Sequence, residues 1–241
     1  MNRIVVFTLF SFFSYWVSAN EIVESIKRAG LTKQEPPTGG ITSNKIKLKS
    51  YKVTLESNQL SISPLALSEA SDMNSRETSI NGYRLIGTDK GEWGGELTLY
   101  PPSNEPKVLL KDNITNIHRF NDSIYVITGQ AHLGSNGGAV HELINLETNP
   151  ELKLITLLPA APNYVISDEN RIYILTYDGL VSLEYWNGAF SIKIIVHNAP
   201  WNGFSPRSMV KIGKTFVIGM HTGVTVIHEE PWGNEINFYG K

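Results

Sequence analysis

The chain reads as an all-β protein made of about four repeats of a four-stranded unit, and three observations point there. From residue 45 onward the apolar residues abandon helical spacing and fall into short alternating or β-branched runs separated by Gly, Asn, Asp and Pro. One strand pattern recurs at intervals of 48 and 44 residues. Glycines that open the next strand stand 41 and 44 residues apart.

The N-terminus reads as a leader. Arg3 precedes residues 4–17, which carry no charge and are mostly large and apolar. That run suits the h-region of a signal peptide and falls short of the ~20 residues a spanning helix needs. Val17, Ser18 and Ala19 then form a small-residue site before Asn20, so residues 1–19 are expected to be a signal peptide cleaved after Ala19. An uncleaved anchor or a buried N-terminal strand is the alternative. Loss of Arg3 with the leader would take the formal charge from −2 to −3, which leaves no electrostatic draw towards nucleic acid.

The chain has no cysteine, which excludes a lipid-anchored N-terminus, disulfides and thiolate chemistry. After removal of the leader, residues 20–241 are enough to bury a full core without covalent staples. No stable membrane insertion is expected, and the address is periplasmic or secreted.

Residues 20–44 are expected to hold a short helix and a linker. Ile22, Val23 and Ile26 share a helical face, acids open the segment, Lys27 and Arg28 close it, and Gly30 stops it. Residues 31–43 are rich in Pro and Gly and read as the linker. The helix should be the exposed end of the mature protein, and the folded domain should span 45–241. Residues 68–78 are polar and read as a flexible loop.

Within the domain, residues 123–128, 171–176 and 215–220 are three copies of one strand. Each is followed by a hairpin and a strand that opens on Gly138, Gly179 or Gly223. A preceding strand recurs at 115–120, 163–167 and 207–212, and a following one at 152–158 and 190–197. A more divergent first copy fits 83–87, 95–100 and 107–111, with its first strand near 60–67. The last copy lacks a fourth strand unless 45–55 or 236–239 supplies it.

Four strands per ~45 residues resembles the β-propeller superfamily. The resemblance implies a ring of blades over about residues 45–239. A β-sandwich or an open stack of sheets is the alternative.

In a blade that runs up and down, hairpins between second and third strands share one rim with the blade-to-blade connections. That rim collects Asp89, Lys90, Glu92, Trp93, His132, Asn136, Asp178, His221 and Thr222 from hairpins. Asn113, Asn163, Trp201, Asn202 and Phe204 come from connections. Trp93, Trp201 and Phe204 among Asp89, His132, Asp178, Asn202 and His221 have the aromatic and polar composition of a recognition surface. The alternative is that Trp201 and Phe204 wedge between blades.

His132, Asp178 and His221 occupy similar positions in successive repeats, but no short-spaced histidine pair anchors a metal site. No metal and no cofactor is expected. Residues 134–138 are glycine-rich without the helix a phosphate loop needs, and no Gly-x-Ser-x-Gly elbow is present. The expected function is an exported, non-catalytic module of the cell envelope that binds another protein, for instance as an immunity or inhibitor protein. A periplasmic hydrolase or lyase acting at the propeller mouth is the alternative.

Overall fold

The computed structural model describes residues 19–36, 49–65, 76–199, 201 and 204–241. A helix, α1 (Ala19–Arg28), leads into β1 (Thr32–Gln34) and a hairpin of β2 (Ser50–Glu56) and β3 (Gln59–Leu65). Four antiparallel sheets follow in chain order. Blade I is β4 (Glu77–Ile80), β5 (Tyr83–Gly87), β6 (Leu97–Tyr100) and β7 (Lys107–Leu110). Blade II is β8 (Ile114–Phe120), β9 (Ser123–His132), β10 (Ser135–Ile144) and β11 (Glu151–Leu158). Blade III is β12 (Pro162–Ser167), β13 (Arg171–Thr176), β14 (Leu180–Trp186) and β15 (Ala189–Val196). Blade IV is β16 (Ser208–Ile212), β17 (Thr215–Met220), β18 (Gly223–Glu230) and β19 (Gly233–Gly240), with β1 added beyond β19 as a fifth strand. The protein is all-β and propeller-like.

Turn chemistry fixes the hairpins. Ser57-Asn58, Asn81-Gly82, Asn121-Asp122, Leu133-Gly134 and Asn187-Gly188 each hold both central residues at positive φ. That conformation matches the twist of the flanking strands, and Asn, Asp and Gly adopt it at least cost.

Successive blades are joined by apolar cores. Leu85, Leu97, Ile117 and Val126 pack between I and II. Ile127, Val140, Ile172 and Leu183 pack between II and III. Leu175, Leu180, Phe216 and Ile218 pack between III and IV. On the far side of blade IV, Val217 and Val224 meet Tyr51 and Val53 of β2, Leu60 of β3, and Ile22 and Ile26 of α1.

Glycines mark how closely the blades approach. A methyl at Gly87 would strike Ile114 of β8, and one at Gly129 would strike Pro162 of β12. One at Gly219 would strike the Tyr51 carbonyl of β2. Each glycine lies in the C-terminal half of a second strand and faces the next unit in the series. The β2–β3 hairpin therefore fills the first two strand positions of a fifth blade, and α1 packs against β3 beside it.

Several expectations are corrected. Residues 60–67 do not open the first repeat, since Gln59–Leu65 pairs with β2. The opening strand is β4, which begins in the last two residues, Glu77 and Thr78, of the stretch that reads as a flexible loop. Its sequence, Glu-Thr-Ser-Ile, alternates between exposed and half-buried positions, so no hydrophobic run announces it. Residues 31–43 are not linker throughout, because Leu31 is buried and Thr32–Gln34 pairs with Phe238–Gly240. The helix is not an exposed end, since Ile22 and Ile26 are buried in the blade IV core. Blade IV takes its fourth strand from Gly233–Gly240. Residues 45–48 and Asn202 lie outside the described residues.

The repeat glycines yield a direct test. A methyl at Gly223 would collide with the Tyr239 carbonyl, whereas one at Gly137 meets nothing. Gly223→Ala is expected to cost about 1–3 kcal/mol in urea unfolding and Gly137→Ala about 0.5 kcal/mol or less.

Candidate recognition rim and axial cavity

Hydrogen bonds gather the second-to-third hairpins and the blade connections on one face. Between blades I and II, Asn113 donates from Nδ2 to the Gly91 carbonyl at 2.7 Å and accepts the Lys90 amide at 3.1 Å. Between II and III, the Ala161 amide donates to Asn136 Oδ1 at 2.8 Å and the Tyr177 amide to the Ala161 carbonyl at 2.8 Å. Between III and IV, the Ala199 amide reaches the Asp178 carbonyl at 2.7 Å, and the His221 amide reaches Phe204 at 2.7 Å. The Thr222 amide then donates to the Lys49 carbonyl at the entry to β2, at 2.9 Å. The rim is thus stitched from loop to loop by backbone and amide groups.

Inside it lies a cavity of about 370 Å³, to which all four blades contribute. Blade I supplies Asp89 and Glu92, with Arg76 just before β4; blade II supplies Gln130 and His132; blade III supplies Asn163; and Arg207 precedes blade IV. Thr115, Asn163 and Arg207 hold one repeat position. Each comes directly before the residue that pairs with Ile127, Leu175 or Gly219 on the second strand.

The charged groups are arranged in pairs. Arg76 donates from Nη2 to Asp89 Oδ2 at 3.2 Å, and Asp89 Oδ1 accepts the Gly91 amide at 3.0 Å. His132 Nε2 lies 2.9 Å from Glu92 Oε2. The Arg76 Nε is buried and meets no acceptor among the described residues. Burial pushes the Arg207 guanidinium below its ordinary value, though it stays cationic at any physiological pH.

The rim residues expected from sequence divide into groups. Asp89 and His132 line the cavity. Trp93 ends the 3₁₀ turn Gly91–Trp93 and is 81% exposed. Asp178 accepts a bond from Asn136 at 3.3 Å. His221 Nδ1 lies 2.6 Å from Ser50 Oγ, joining blade IV to the β2–β3 hairpin. Trp201 and Phe204 are corrected: they are 1% and 3% exposed, and both pack in the core between blades III and IV. Trp201 Nε1 donates to the Thr176 carbonyl at 3.3 Å, so the indole is satisfied where it is buried.

The matching repeat positions of His132, Asp178 and His221 do not make one cluster, since each engages a different neighbour. Among the described residues no three His, Cys, Asp or Glu side chains could hold a metal ion. Sequence reasoning missed Arg76, Gln130, Leu133 and Arg207. Arg207 was within reach, because the spacings of 48 and 44 that align the second strands also align Thr115, Asn163 and Arg207.

No protein-family model matches the chain, and no curated protein matches it in sequence. Among solved structures it is similar to the N-terminal domain of Nup159, with a TM-score of 0.44 and 10% identity. That likeness covers 67% of this chain and 46% of the other, so this chain spans about half the length of the structure it matches. The fold assignment rests on the sheets themselves.

Partly buried histidines make stability pH-dependent. Burial first, and the Arg207 charge second, hold the His221 imidazole below its ordinary pKa, and burial does the same to His118. As pH falls through about 6.5, the unfolded chain takes up these protons before the folded one does. The urea midpoint should therefore fall between about pH 7 and pH 5, and fall less in His221→Gln and His118→Gln than in the parent.

Proposed function

We propose that this protein is an exported, non-catalytic recognition module that docks another protein on its loop rim. Leu133 carries the reading. It sits at φ 44° in a two-residue turn and is 92% exposed. A left-handed backbone costs a leucine about 1–2 kcal/mol that glycine would avoid, and exposing its side chain returns nothing to the fold. Strain at a surface position that packing does not require supports a role in recognition.

Trp93 strengthens the case. The Glu92–His132 contact brings two turns together, and the residue after each is a large exposed side chain, Trp93 and Leu133. An indole and an isobutyl group beside a polar cavity form the kind of anchor that dominates protein interfaces. Asp178 and His221 engage structural neighbours, which favours docking over acid–base chemistry. The hydrolase or lyase alternative draws on Glu92–His132 alone, and Glu92→Gln with His132→Gln should leave docking-site crosslinks in place.

Export completes the proposal. Cleavage after Ala19 would leave intact the packed face of α1, whose buried residues are Ile22, Ser25 and Ile26. The protein recovered from the cell envelope or medium is expected to begin at Asn20 by intact mass. A species that retains residues 1–19 would refute the leader.

Docking is tested with a photo-crosslinking residue placed at 93, 133 or 232 in the full chain in its native cells. Trp232 is 99% exposed in the β18–β19 turn, away from the rim, and serves as the reference. One discrete adduct shared by 93 and 133 and missing at 232 is expected. Equal labelling at all three, or none, would refute the rim. In parallel, Leu133→Asn should raise stability by about 1 kcal/mol and abolish the adduct formed from position 93.

A further inference from the structure

We propose that the axial cavity is a carboxylate-binding site, which, given the reading of the rim as a docking face, receives an acidic side chain or a C-terminal carboxylate of the partner.

The argument rests on donors and acceptors. Both carboxylates in the wall have internal partners: Asp89 takes Arg76 Nη2 and the Gly91 amide, and Glu92 takes His132. The donors are more numerous. A guanidinium carries five N–H groups and accepts nothing, and two of them, Arg76 and Arg207, reach one cavity from opposite ends of the four-blade series. The Gln130 and Asn163 amides join the same wall. Arg76 Nε–H is withdrawn from solvent with no acceptor among the described residues, a condition that costs the free protein.

The occupant that fits has paired acceptor oxygens and a negative charge. Guanidinium groups bind carboxylates through two parallel hydrogen bonds, and a partly desolvated wall strengthens each one. A cation is disfavoured here, because both wall carboxylates already have internal partners, Asp89 in Arg76 and the Gly91 amide and Glu92 in His132. At about 370 Å³ the cavity admits a side chain or a chain end and is too small for a folded element. The cavity opens among the loops that bear Trp93 and Leu133, so one partner segment can place an acid inside while apolar groups meet the rim.

The test uses small probes on the purified chain. N-acetylglutamic acid α-amide carries only a side-chain carboxylate, N-acetylalanine only a terminal one, and N-acetylglutamine amide neither. Binding is read from the arginine Nε–Hε resonances by NMR. Saturable, millimolar binding of one or both acids is expected, with no response to the neutral amide, and the tighter acid identifies the source. Arg76→Gln and Arg207→Gln should each weaken it about tenfold or more, and Arg76→Lys, which keeps the charge and gives up the fork, should weaken it by less. Equal response to the neutral amide, or affinity that survives both Gln variants, would overturn the site. Inorganic phosphate bound more tightly than either acid would overturn its assignment to carboxylate. Unfolding curves on the same samples separate loss of fold from loss of binding. If the acids fail while the adducts at 93 and 133 persist, the cavity proposal falls and the docking face stands.

Discussion

Blades II, III and IV each have two apolar faces, and a four-stranded sheet can cover both only by standing between two neighbours. That requirement sets the arrangement of everything else. Val126 and Ile127 are adjacent on β9, and they pack into different cores, one towards blade I and one towards blade III. Ile174 and Leu175 on β13 divide in the same way, as do Phe216 and Val217 on β17. In these three blades, with both faces occupied, the surfaces left for recognition are the ends of the strands and the outer edges. Blade IV would have had a bare outer face, and the N-terminal helix and the β2–β3 hairpin supply its cover.

The same packing gives the site its rigidity. Glycine-rich turns are poor supports on their own, but here each turn is bonded to the connection beside it. Asn113 and Asn136 are the clearest cases, since their amides act as fixed struts between neighbouring loops. A ligand entering the cavity therefore meets groups already in place, which lowers the ordering cost of binding.

The strands from 114 onward were legible because they combine β-branched alternation with a repeat spacing that chance does not produce. What escaped was whatever depends on a distant partner. β4 is polar and becomes a strand through pairing with β5, and β1 is three exposed residues that become a strand only when β19 is present. Trp201 and Phe204 are apolar whether they face a ligand or a core, so composition could not place them, and only the burial of the β15–β16 connection decides it. Leu133 was invisible for another reason. Its identity is ordinary, and its importance comes from a backbone angle that no residue type reports. Arg207 is different again, because the repeat alignment already contained it.

The pairing of β1 with β19 joins residues near 33 to residues near 239. Synthesis proceeds from one end, so β1 waits without its partner until β19 has been made. Closing so long a loop is slow and comes late. During that wait Ile22, Ile26 and Leu31 lack the blade IV half of their core, Val217 and Val224. Once β19 arrives, it and β1 hold each other in place, and two segments far apart in sequence lose their freedom in one step.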